Sequence, residues 1–111
     1  MQYSFLAEFF KAFAHPLRLR VFEALRDGPV SVSELREKLA VEQSTLSQQL
    51  AVLRSRRLVA TKRQGTTIRY EVSDSAIWPL LDAARGILDR QLISLRTNLE
   101  ELEEESRREA V

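Results

Sequence analysis

The chain has 111 residues, 44% of them apolar and 30% charged, which suits one folded, helix-rich domain and not a disordered chain. Seventeen Lys and Arg stand against sixteen Asp and Glu, a net charge of +1, and no run of about 18 uncharged apolar residues offers a membrane span. With no Cys and a single His, disulfides, thiolate metal sites, cysteine redox switches and most Ser-His-Asp or Cys-His catalysis fall away.

Residues 2–14 read as a helix with Phe5, Leu6, Phe9, Phe10 and Phe13 along one stripe. So many aromatics on a terminal helix call for burial, on the domain or on a second subunit. Glu8 and Lys11 break the apolar run, so it is a poor secretory signal, and a cytoplasmic location is expected. His15-Pro16 marks a break and a new start, because Pro suits the first helical position. His15 is read as a structural residue there, in preference to a ligand or catalytic role. The next helix runs to about Arg26, with Leu17, Val21, Phe22 and Leu25 inward, and Asp27-Gly28-Pro29 ends it.

Ser31 opens a short helix, and Glu34 three residues later completes a capping box. Leu35 and Leu39 face the core. The tight connection Ala40-Val41-Glu42 leads into a helix at about 43–56, so the pair reads as a helix-turn-helix. In the second helix Leu46, Leu50 and Leu53 share one face and point inward. The opposite face is Ser44, Gln48, Ala51 and Ser55, flanked by Thr45 and Ser47, and only its end turns basic with Arg54, Arg56 and Arg57. Small uncharged hydrogen-bonding residues can approach base edges, and Arg can reach phosphate. Taken alone, the same face would pass as ordinary polar surface.

Leu58–Arg63 has strand character, Gln64-Gly65-Thr66 can turn, and Thr67–Ser73 alternates as a second strand. Lys62, Arg63 and Arg69 sit near the tip of this hairpin. A helix-turn-helix followed at once by a basic hairpin is the winged-helix arrangement. A long helix then begins near Ser75. Its apolar positions, Ile77, Leu81, Ala84, Leu88, Leu92, Leu95, Leu99 and Leu102, approach a heptad seam. The simplest partner for the seam is the same helix of a second subunit; folding back on its own domain is the other reading. Pro79 is tolerable in the first turns. The charge-dense end is expected to fray.

The net charge hides an asymmetry. Residues 11–73 hold twelve Lys and Arg against six acids, and residues 74–111 hold five Arg against nine acids. A basic block suggests a polyanion partner, nucleic acid first; a solvated charged surface is the bland alternative.

The stretches FKAFAHPLRLRVFEAL, SVSELREKLAVEQSTLSQQLAVLRSRRLV and RQGTTIRYEVSD, over roughly residues 10–74, resemble the ArsR–SmtB winged-helix transcriptional regulators. The resemblance implies a homodimer that binds a double-stranded operator with inverted-repeat symmetry and represses transcription. It implies that Ser44, Thr45, Ser47 and Gln48 face DNA from the recognition helix and that Arg63 and Arg69 lie where the wing meets the backbone. The departures are as informative. Ser31 and Ser33 stand where many members carry metal-binding cysteines, and hydroxyls do not replace thiolates on soft metals. No His follows His15, which leaves the last helix without the His ligands of another common site. The chain therefore resembles a member lacking the cysteine metal and thiol sites.

The resulting expectation is a mainly α fold with a small β-hairpin (α+β), a dimeric winged helix-turn-helix in the order α-α-α-α-β-β-α. One domain covers 1–111: a dimerisation helix at 1–14, the helix-turn-helix and wing at 15–73, a second dimerisation helix at 75–106 and a frayed tail at 107–111. Expected base readers are Ser44, Thr45, Ser47 and Gln48; expected phosphate contacts are Arg54, Arg56, Arg63 and Arg69. Phe5, Phe9, Leu81, Leu88, Leu92 and Leu95 are expected at the dimer interface. No catalytic residue, metal or cofactor is implied, and no small-molecule effector is named. A pocket for an apolar ligand near Trp78 is one reading of the interface, and plain interface core is the simpler one. Asp74, Asp82 and Asp89 have no spacing that recommends a metal. The competing functional reading is a winged-helix protein-interaction module that binds no DNA, although its face should then carry aromatic or aliphatic anchors.

Overall fold

The computed structural model describes residues 1–110. In chain order the elements are α1 (Tyr3–Lys11), α2 (Pro16–Ala24), β1 (Val30–Ser31), α3 (Val32–Leu39), α4 (Gln43–Ser55), β2 (Val59–Gln64), β3 (Thr67–Val72) and α5 (Ile77–Glu109). The residues divide into two compact units, Met1–Trp78 and Pro79–Val111.

Local chemistry sets most boundaries in the first unit. His15 is the N-cap of α2, its Nδ1 accepting from the Leu17 amide at 3.1 Å, and Pro16 takes the first helical position, where its missing N–H costs nothing. The structural reading of His15 thereby acquires a specific role. Ser31 caps α3, its Oγ accepting from the Glu34 amide at 3.2 Å. The expected capping box is only half made, because the Glu34 carboxylate turns to Arg69 instead.

The order expected from the sequence lacks one element. Val30–Ser31 forms a short strand that pairs antiparallel with β3, giving a three-stranded sheet ordered β1-β3-β2. Two residues carry no alternation to read, and they become a strand because Tyr70 and Arg69 lie beside them. The hairpin itself runs from the pair Val59–Val72 to Gln64–Thr67, closed by Gly65-Thr66. Gly65 has φ +63°, the left-handed backbone that a two-residue hairpin turn requires at its first position.

The core of this unit is the set of side chains that the helical periodicities turn inward. Val21, Phe22, Leu25, Leu35, Leu46, Leu50 and Leu53 are completely buried, with Leu17 and Leu39 close behind. Phe13 stacks on Phe22 at 5.0 Å between ring centres. The aromatic stripe of α1 does not follow it inward. Phe13 and Ala12, just past the helix, are buried, whereas Phe5 and Phe10 are exposed and Phe9 is borderline. Trp78 anchors the start of α5, its indole N–H donating to the Phe22 carbonyl at 2.9 Å.

In the second unit, α5 continues helical to Glu109, three residues beyond the boundary expected at 106. Glu104 and Arg108 pair at 2.9 Å across one turn, and basic Arg107 and Arg108 suit the negative end of the helix dipole. Local pairing thus favours helix where charge density suggested fraying; Val111, the last residue of the expected tail, lies outside the described residues. Leu88, Leu92, Leu95, Leu99 and Leu102 are each more than half exposed in the single chain. Among the described residues no helix is long and apolar enough to cross a membrane.

Candidate nucleic-acid interface

The α3–α4 turn fixes how α4 is presented. Ala40 sits at φ 52°, ψ 49°, and its amide and that of Val41 both reach the Arg36 carbonyl, a Schellman-type ending. The remaining Leu39 carbonyl accepts from Arg20 Nη2 at 2.6 Å. Side chains then brace α4 from two directions. Arg36 Nη1 donates to Gln43 Oε1 at 2.9 Å from α3, and Arg18 Nε donates to Gln49 Oε1 at 2.8 Å from α2.

With Leu46, Leu50 and Leu53 buried on one side, Ser44, Thr45, Ser47, Gln48, Ala51 and Ser55 are exposed on the other. Among the described residues, the side chains of Ser44, Thr45, Ser47 and Gln48 have no hydrogen-bond partner within the chain. Donors and acceptors on this surface are therefore open to a ligand.

The four arginines expected to hold phosphate fall into two groups. Arg54 and Arg63 are exposed and make no ion pair among the described residues. Arg56 and Arg69 are engaged. Arg56 lies 3.8 Å from Glu8 Oε2, next to a tighter Glu8–Lys11 pair at 2.8 Å. The hydrogen bond and charge of Lys11, with Arg56 adding to them, hold the Glu8 carboxyl below the usual glutamate range. Arg69 is not at the hairpin tip. It pairs with Lys62 and Ser31 in the body of the sheet, and its Nη1 meets Glu34 Oε1 at 3.0 Å. Its Nε is buried without a partner, so the guanidinium is held against α3 rather than extended from the wing.

One element of the surface has no signature in the sequence. Ser47, Ala51, Arg54 and Ser55 of α4 line a cleft of about 370 Å³ together with Tyr70 of β3. The strand alternation marks Tyr70 only as one of three residues on a common face, with nothing to show that α4 lies beside it. Elsewhere, Asp74 Oδ1 accepts from the Ala76 amide at 2.9 Å just ahead of α5, a turn role for one of the three aspartates considered above.

A braced helix-turn-helix, an open hydrogen-bonding face on its second helix and a hairpin beside that face define a winged helix-turn-helix protein. Comparison with known proteins agrees. Residues 13–62 match the family model described as a helix-turn-helix domain. The chain is 43% identical over 101 residues to the HTH-type transcriptional regulator Rv0081 of Mycobacterium tuberculosis, covering 90% of this chain and 89% of that one. The crystal structure of Rv0081 superposes with a TM-score of 0.75 at 44% identity, over 81% of this chain and 91% of that one. The repressor BigR of Xylella fastidiosa gives a TM-score of 0.68 at 36% identity, over 76% and 86%. The homodimeric winged helix-turn-helix domain Mb0332 of Mycobacterium bovis gives 0.70 at 26% identity, over 78% and 81%. The chain belongs to the ArsR–SmtB family of winged helix-turn-helix transcriptional regulators.

Proposed function

We propose that this regulator acts as a homodimeric repressor in the cytoplasm, binding a double-stranded operator of inverted-repeat symmetry and catalysing no reaction. The observation that carries the reading is the α4 face. Four hydrogen-bonding side chains have no partner among the described residues and lie on a helix whose other side is buried through three leucines. Ser44, Thr45, Ser47 and Gln48 read base edges, with Gln48 suited to adenine. Arg63 holds backbone from the wing, and Arg54 does so from the helix end. Arg56 and Arg69 contribute only as far as their carboxylate partners release them.

Dimerisation is supported by large apolar side chains left exposed in the single chain. Phe5 is 73% exposed, and Leu88, Leu92 and Leu95 are each over 50% exposed. Phe9 follows Phe5 by four residues along α1, and Leu81 precedes Leu88 by seven along α5. Two recognition helices related by a two-fold axis would enter successive major grooves about 34 Å apart. With no Cys in the chain, a thiolate metal sensor or thiol switch has no ligand to use.

Fluorescence anisotropy across a salt series tests this, with a duplex selected from a random pool against an unselected duplex of equal length. Tight, selective, strongly salt-dependent binding is expected. Gln48→Ala should erode the selectivity by about tenfold. Equal binding to both duplexes at every salt concentration would refute sequence reading by α4.

A further inference from the structure

We infer that the cleft between α4 and β3 seats one phosphodiester group of the DNA backbone, held by the Arg54 guanidinium with the Ser47 and Tyr70 hydroxyls. The inference rests on the DNA-binding reading above and adds a site to it, in which Ser47 turns to the backbone and base reading is left to Ser44, Thr45 and Gln48. Five residues line the cleft, Ser47, Ala51, Arg54, Ser55 and Tyr70, and none is acidic. Its volume, about 370 Å³, is roughly tenfold a water's share of the liquid, enough for a phosphate and its adjoining sugars.

The state of each polar group favours an anion. Ser55 donates to the Val52 carbonyl at 2.7 Å, so it forms wall and not donor. The hydroxyls of Ser47 and Tyr70 and the guanidinium of Arg54 have no partner among the described residues. Arg18, Arg20, Arg36, Arg56 and Arg69 are all engaged within the chain, whereas Arg54, the one cation lining the cleft, makes no hydrogen bond or ion pair among the described residues. Ala51 presents only a methyl group, which lets a backbone come close.

Position selects backbone over base. Ser47, Ala51 and Ser55 succeed one another at four-residue steps, so the cleft follows the helix surface next to Ser44 and Gln48. A duplex whose bases meet Gln48 has its flanking strand on that side, between helix and wing. The clamp has one charged and two neutral donors, so its parts separate by salt dependence. Phosphate neutralisation releases counterions, whereas a phenol hydrogen bond does not.

The test uses the full chain, the selected and unselected duplexes, and the variants Tyr70→Phe and Arg54→Gln, with circular dichroism confirming that both fold. Tyr70→Phe should weaken both duplexes alike, about threefold per protomer and about tenfold for a dimer, with an unchanged salt slope. Arg54→Gln should weaken both and reduce the slope by about one for each protomer. A neutral methylphosphonate at the clamped position should make wild type and Arg54→Gln bind equally. The clamp is overturned if Tyr70→Phe binds like wild type, if either variant changes the ratio between duplexes, or if no methylphosphonate position removes the Arg54→Gln loss. Wild type binding neither duplex at low salt would remove the DNA-binding reading itself. Inorganic phosphate that displaces DNA at constant ionic strength and shifts the Tyr70 ring resonances would reassign the cleft to a free phosphorylated molecule.

Discussion

Replacing Ala40 by Gly should stabilise the protein, although the same exchange in a helix destabilises. Ala40 is exposed and lies at φ 52°, ψ 49°, so the change removes no packing and relieves a left-handed backbone. That conformation costs an L-residue about 1–2 kcal/mol. Glycine returns about 0.4–1 kcal/mol of this through the greater freedom of the unfolded chain. The net expectation is a gain of about 0.5–1 kcal/mol. Ala51→Gly is the control, since Ala51 is also exposed but sits inside α4, where glycine costs about 1 kcal/mol. Urea unfolding at one fixed protein concentration measures both, because a dimer's stability depends on concentration. With a slope of about 2 kcal/mol per molar, Ala40→Gly should raise the midpoint by about 0.25–0.5 M and Ala51→Gly lower it by a similar or larger amount. Two variants destabilised alike would show that Ala40 is not left-handed in solution, and the account of how α3 hands over to α4 would fall with it.

Leu50→Ala opens the centre of the core, where Leu50 is 1% exposed, and should cost about 3 kcal/mol in urea or thermal unfolding. A cost under about 1 kcal/mol would mean that α4 is not packed through this face. The Glu34–Arg69 bridge spans partly exposed groups, so a double-mutant cycle to Ala should give a coupling below about 1 kcal/mol that shrinks in 1 M salt. A larger, salt-insensitive coupling would make the bridge a principal support of the wing. The Glu8 carboxyl should titrate by NMR below the ordinary glutamate range, and Lys11→Met should bring it back up. Because its folded-state value is depressed, the stability it contributes is present at neutral pH and is lost as the pH falls through that value. No movement in Lys11→Met would exclude Lys11 as the cause.

The α4 face was legible because its determinants are local. Leu46, Leu50 and Leu53 are buried, and the residues opposite them are exposed, as a 3.6-residue period requires. The hairpin was legible from the alternation of Ile68, Tyr70 and Val72 and from a glycine at the turn. Strand β1 was not, because two residues have no period and pair only once β3 is beside them. The phosphate-contact set was read less fully. Basic residue type marks Arg56 and Arg69 as well as it marks Arg54, but whether an arginine is free depends on which carboxylates the fold brings within about 4 Å.

The sequence by itself thus determined the helices, their caps, the hairpin and the exposed polar face of α4, because each depends on residues within a few positions of one another. Ser31 needs only the amide of Glu34, and His15 only that of Leu17. The tertiary structure alone decided which side chains are engaged and which are free. Arg69 finds Glu34 across 35 positions and Arg18 finds Gln49 across 31, while Tyr70 shares a cleft with Arg54 only because the folded sheet brings it opposite α4. Each such bond contributes about a kilocalorie per mole. That is too little to dictate the fold and leave a pattern in the sequence, but enough to set, once the core has folded, which groups remain open to a ligand.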